Sequence, residues 1–214
     1  MKYYPFLSCL CFFLLITTIT NAQKRKAFEG KIVYENKFES NVSGMSNEML
    51  GSMLGTTWDY FITSDRYKFE MNGMHIQKQF YNPEEFKLYT KFVSSDTMAW
   101  IDVREWNTEI ISHELIKTEE VILGHKCNAL VLTTNKGKET YYFNRHIKAD
   151  AELFKKHKFL NMAFVLNYTE SIPLKIILES NEMNLESTAT DIEPLSFESG
   201  AFAIPNLPSK PSSF

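Results

Sequence analysis

The stretch Arg66-Tyr67-Lys68-Phe69-Glu70-Met71 puts a large apolar side chain at every second position and a charge at each position between, and Asn72-Gly73 follows it directly. Successive side chains of a strand point to opposite faces. This period of two therefore buries Tyr67, Phe69 and Met71 on one side and wets Arg66, Lys68 and Glu70 on the other. Asn-Gly suits the positive-φ positions of a tight hairpin, which predicts that residues 74–81 return as the antiparallel partner.

The alternation continues in both directions. Upstream, Phe28 to Phe38 sets Ile32, Tyr34 and Phe38 on one face, and Trp58, Tyr60 and Ile62 make another. Downstream, Phe86, Leu88 and Phe92 oppose Lys87 and Lys91. Further strands are predicted near 97–103, 108–117, 121–134, 138–144, 172–180 and 183–192, separated by turn signals such as Asn82-Pro83, Ser94-Ser95-Asp96 and Asn135-Lys136-Gly137. Together they make about ten or eleven antiparallel strands.

Two stretches change to helical spacing. Met45, Met49 and Met53 recur at every fourth residue, Leu50 and Leu54 widen that stripe, and Gly44 and Gly55 bracket it. Around 148–160, Ala151, Leu153 and Phe154 lie among Asp150, Glu152, Lys155 and Lys156, which predicts a second helix before the apolar run Phe159 to Leu166. A large sheet must cover its apolar face, and these helices are the available cover. The expected fold is mainly β, a strongly curved antiparallel sheet with short helices in its concavity, as one domain over 23–204. The proline-spaced segment 205–214 reads as a flexible tail.

Residues 1–22 read as a secretory signal: Lys2, an apolar run from Phe6 to Ile16 too short to span a bilayer, and Thr20-Asn21-Ala22 as the exit. The expected product is exported, to the periplasm or beyond, without a transmembrane segment. Cys9 precedes most of that apolar run, so it does not read as an acylation site. Cys9 and Cys11 leave with the signal, and Cys127 then has no partner for an internal disulfide. Asn41-Val42-Ser43 and Asn167-Tyr168-Thr169 match the short glycosylation pattern, which carries little weight. The chain has a formal net charge of −3 and no basic block, so nucleic acid is not an expected partner.

No nucleophile elbow, phosphate loop, dinucleotide turn or paired-histidine zinc helix is present in the sequence, and no cofactor is expected. Two readings compete at His125 and Cys127, which share a strand face. With a hairpin centred near Glu119, His113 would face His125, and the three would offer a borderline-metal set. Otherwise Cys127 packs as a small apolar residue beside Ala129 and Val131. The aromatic faces also carry two readings. Tyr34, Trp58, Tyr60, Tyr67, Phe69, Phe86, Leu88 and Trp100, with Met49 and Met53 from the methionine helix, either line a pocket for an apolar ligand or fill an ordinary core.

Leu123-Gly124-His125-Lys126-Cys127, the later Tyr141-Tyr142-Phe143, the opening Phe28-Glu29-Gly30-Lys31-Ile32-Val33-Tyr34 and the closing Phe202-Ala203-Ile204-Pro205 resemble a family of small secreted proteins related to the GLPGLI group. His125 stands where that family carries an aromatic. The resemblance implies a fold like the periplasmic lipoprotein carriers of the LolA type, an unclosed half-barrel with helices plugging its mouth, and implies no activity. The expected function is a non-enzymatic binding protein for a lipid, an acyl chain or another apolar molecule. The alternative is an envelope protein–protein interaction module with a filled core.

Overall fold

The structure is a computed structural model describing residues 26–212, so the signal reading of residues 1–22 lies outside the described residues. Its first half runs β1 (Gly30–Ser40), α1 (Asn47–Leu54), β2 (Thr57–Ile62), β3 (Tyr67–Met71), β4 (Ile76–Asn82), β5 (Lys87–Phe92) and β6 (Met98–Asp102). The second runs β7 (Ile110–Ile122), β8 (His125–Thr134), β9 (Gly137–Lys148), a 3₁₀ turn (Phe159–Asn161), α2 (Met162–Thr169), β10 (Ser171–Ser180), β11 (Met183–Pro194) and β12 (Ser209–Pro211).

These strands form one twelve-stranded sheet in the order β12-β6-β5-β4-β3-β2-β1-β11-β10-β9-β8-β7. Two meanders are joined at their middle by the long antiparallel pair β1 and β11, registered from Gly30 opposite Pro194 to Ser40 opposite Met183. The ends, β12 and β7, do not meet, so the sheet is an open half-barrel. Period-two alternation decides which face is inside. Ile32, Tyr34 and Phe38 of β1, Tyr60 and Ile62 of β2, and Tyr67 of β3 are all buried.

The chain between β9 and β10, residues 149–170, crosses the concave face. Phe154 packs parallel to Tyr67 with 5.6 Å between ring centroids, and Tyr81 donates to the Leu153 carbonyl at 3.3 Å. On the other arm Val165 packs among Leu130, Leu132, Tyr141 and Phe143. The helix predicted around 148–160 is absent. Bonds such as His157 N to Phe154 O span three residues, and Lys158 N instead reaches the carbonyl of Val103 at 2.7 Å. Leu160 (φ 50) and Asn161 (φ 52) are left-handed, so the regular helix begins only after them. Side chains hold this bend. Asn161 donates to the buried Glu139 carboxylate at 2.9 Å, and Tyr141 Oη lies 2.7 Å from Glu139 Oε2 and 2.9 Å from Leu160 O.

The methionine helix also departs from expectation. Ser46 caps α1 by accepting from Met49 N, and Gly55 (φ 91) closes it with a bond to Gly51 O. The face it buries is Leu50 and Gly51, with Leu50 against Phe38 and Leu185, while Met49 stays 50% exposed. Asn72-Gly73 does not make a two-residue hairpin. Asn72 Oδ1 accepts from Thr57 N, and Gly73 sits where a Cβ would press on the backbone of residues 53–55, so the dipeptide seats α1 against β2 and β3.

The C-terminal segment, over its described residues up to Ser212, packs on the sheet. Residues 209–211 pair in parallel with 98–100, and Ile204 and Leu207 pack on a convex-face cluster of Phe80, Tyr89, Met98 and Trp100. Truncation after Ile204 is expected to destabilise the domain by about 2 kcal/mol, the worth of one buried leucine side chain. A urea melt checks this, whereas removal of a loose coil would leave the midpoint unchanged.

Candidate functional site

A cavity of about 280 Å³ lies between the concave face and its cover, close to the lower end of the range typical of small-molecule sites. Tyr34, Tyr60, Tyr67, Leu88, Ile172 and Pro173 form its deep end, all buried. Phe154, His157, Phe159, Leu160, Met162 and Leu166 of the crossing segment close it over. Towards α1 the lining becomes half-buried at Leu54, Trp58, Met71, Ile76, Ile176, Leu178 and Met183, so the cavity opens at that rim. No lysine, arginine, aspartate or glutamate lines it.

The polar groups in this lining are few. Tyr34 donates to the carbonyl of Pro173 at 2.6 Å. Tyr67 Oη lies 2.5 Å from Nε2 of His157, whose Nδ1 is buried without a partner. Tyr60 packs between Tyr34, Tyr67 and Phe69, and its hydroxyl has no hydrogen-bond partner among the described residues. Burial holds all three phenols protonated, pushing each well above the ordinary tyrosine range. Burial also pulls His157 down to about 4, so its ring is neutral near pH 7.

Of the residues singled out in the sequence, Tyr34, Trp58, Tyr60, Tyr67, Phe69 and Leu88 line the cavity. Four do not. Met49 is exposed and Met53 half-buried on α1, away from the lining. Trp100 pairs with Tyr89, and both join the convex cluster under Ile204 and Leu207, because β5 sends Leu88 and Tyr89 to opposite faces. Phe86 occupies a left-handed turn (φ 56), flanked by the cations of Arg104 and Lys156 at 5.0 and 4.8 Å from its ring. The sequence places a cover around 148–160 over the concave face, and the structure puts one there, as turns and a 3₁₀ turn leading into α2 over Phe159 to Leu166 instead of one helix.

The metal reading fails on register. The hairpin turns at Leu123 (φ 50) and Gly124 (φ 77), which places His125 opposite Ile122 and His113 opposite Leu132. His113 packs edge-on against Phe164 and Tyr168 instead. Among the described residues no group of three His, Cys, Asp or Glu side chains is placed to hold a metal ion. Cys127 is buried in the core with Ile122 and Ile147, and burial raises its thiol above the ordinary range.

No family model and no curated protein matches the chain. Among solved structures it is similar to PNGF-II, at 13% identity in both crystal forms, with TM-scores of 0.50 (C2) and 0.49 (P21) over 87% of this chain. It spans about a third of the PNGF-II chains, 31% and 32%. The LolA superfamily protein NE2245 from Nitrosomonas europaea gives 7% identity and a TM-score of 0.38, covering 83% of this chain and 90% of that one. At such identities the C2 likeness speaks to fold alone.

Two outcomes follow from this chemistry. A histidine depressed by folding takes its proton more readily when unfolded, so the stability tied to His157 is complete above pH 6.5 and declines as pH falls from 6.5 towards 4. The full loss is about 3 kcal/mol. Urea midpoints across that range are expected to fall in the wild type and to stay flatter in His157→Gln. Asp65 and Asp102, which the fold holds below the ordinary aspartate range, act at lower pH. For Cys127, a thiol reagent is expected to label the native protein only as fast as the domain opens, and fast native labelling would contradict its burial.

Proposed function

We propose that this chain is an exported, non-enzymatic binding protein whose half-barrel holds a lipid, an acyl chain or a similar apolar molecule. The observation that carries the reading is the cavity of about 280 Å³, apolar, uncharged and open at the rim beside α1. Core side chains ordinarily fill such a space to the density of an organic crystal. Its walls instead come from a curved sheet and a cover pinned at separate points, with room left between them. Each methylene drawn in from water is worth about 0.8 kcal/mol, so a short chain binds usefully without any charged contact. Export rests on residues 1–22, and the absence of a catalytic constellation in the sequence supports a binding role.

A second surface has an observation of its own. β7 ends the sheet and exposes Ile111 (66%), Leu115 (53%) and Val121 (60%), a place where a protein partner could dock. It is compatible with a filled cavity and does not replace the first reading.

The test is binding of the neutral dye N-phenyl-1-naphthylamine, followed by its emission and by quenching of Trp58. Wild type is expected to bind one equivalent. Ile176→Trp, which fills the cavity, is expected to lose binding at least tenfold at a stability cost of about 1–3 kcal/mol. Met49→Ala, on the exposed side of α1, is expected to change nothing. Equal binding by wild type and Ile176→Trp would reject the cavity as the site.

A further inference from the structure

Resting on the β7 surface described above and not on the cavity, we infer that a second copy of this chain pairs with it through β7, the two strands running antiparallel about a two-fold axis at Ile116 so that both sheets become one. The two ends of the sheet are built differently. β12 is three residues long and ends at Pro211, so it offers little backbone for another strand to bond. β7 is thirteen residues long, holds no proline and stands last in the sheet order, with no described strand beyond its outer row of N–H and C=O groups. A long open edge of this kind is a template for another strand. Ile111, Leu115, Ile116 and Val121 are all exposed along it, so the edge offers apolar side chains as well as backbone.

Symmetry and charge select the register. Two antiparallel edges related by a two-fold keep their concave faces on one side, so the axis passes through a residue that meets its own copy. β7 holds regular register with β8 from Ser112 to Lys117 and bulges at both ends of that run, which confines the axis to its interior. An axis at His113 or Glu114 sets that side chain against itself, and one at Leu115 sets His113 against Lys117 and Ile111 against Glu119. An axis at Ile116 brings no like charges together. Ile116 then packs on its own copy, Val121 meets Ile111, and Lys117 lays its stem on Leu115. Glu119, which also pairs with Lys126 at 2.7 Å, faces the copy's His113, itself held edge-on against Phe164 and Tyr168. The bulge at 118–120 bonds within its own hairpin, Glu120 N donating to Thr118 Oγ1 and Thr118 Oγ1 donating to the Cys127 carbonyl. Backbone bonds between the copies therefore gather near the axis, and the outer rows meet through side chains.

Sedimentation velocity on the purified protein reads the pairing, and cysteine crosslinking reads its register. Wild type is expected to sediment as a dimer at about 100 µM, and Ile116→Lys, which sets two ammonium groups on the axis, is expected to weaken association at least tenfold. Ile116 lies on the surface, so the urea midpoint of that variant is expected to match wild type. Directly opposed residues lie about 4.5–5.5 Å apart at Cα and diagonal ones about 7–8 Å, so Ile116→Cys is expected to close an intermolecular disulfide under mild oxidation and Lys117→Cys is not. Cys127 is buried and takes no part. Should Ile116→Lys unfold, the two cysteine variants decide alone. Ile176→Trp, which fills the cavity, is expected to leave the dimer intact. A wild-type monomer at that concentration overturns the pairing while leaving the cavity reading standing, and protection of the β7 amides from exchange in such a monomer would put another segment of the same chain on the edge. A dimer that survives in folded Ile116→Lys, or that crosslinks equally through Lys117→Cys, overturns this interface as well.

Discussion

Everything in this molecule answers to one demand: the concave face of a twelve-stranded open sheet is apolar, and water must be kept from it. A closed barrel would meet the demand by filling itself with side chains. Here a single crossing of the chain does so, and it is anchored by directional bonds rather than by regular packing. One anchor joins His157 to Tyr67 on β3, and another joins Asn161 and the Leu160 carbonyl to Glu139 and Tyr141 on β9. The left-handed backbone at Leu160 and Asn161 is the conformational cost of turning the chain from one anchor to the next.

A cover fixed at points spans space instead of filling it. The cavity is what remains between the anchors, and its chemistry follows from the sheet's own alternation, which sends tyrosine and leucine inward and charge outward. Because the cover closes the deep end while α1 packs beside the rim through Leu50 and Leu54, access and enclosure lie at opposite ends. Tyr67 reaches the cavity where it also bonds the cover through His157, while Tyr34 bonds Pro173 of the sheet.

The sheet was legible because its signal is local. Alternation in 66–71, 28–38 and 172–180 sits on strands in the structure, and only the short β12 escaped, since Ser209-Lys210-Pro211 has no apolar alternation and pairs through its backbone. Which aromatic side chains share a face was harder to read. Trp100 and Trp58 look alike in the chain, yet strand pairing aligns Trp100 with Tyr89 and sends it outward. Spacing also misled at α1, where Met49 of the methionine stripe faces solvent and Leu50 is the buried residue. A glycine settled the His-Cys question: Gly124 is at the turn, and moving the hairpin centre from Glu119 to Leu123-Gly124 parts the two histidines. The shape of the cover was illegible for a physical reason. Its shape is set by bonds to Val103, Glu139 and Tyr67, none of which is near it in sequence.

The central claim is that the space under the cover is occupied in use by an apolar molecule. Native mass spectrometry of the protein, purified without detergent or organic solvent, tests it most directly. The account predicts a population heavier than the apo chain by the mass of a lipid or similar apolar molecule, shed on activation in the gas phase and absent from Ile176→Trp. A clean apo mass for wild type, unchanged after incubation with methyl dodecanoate or 2-tridecanone, would contradict it.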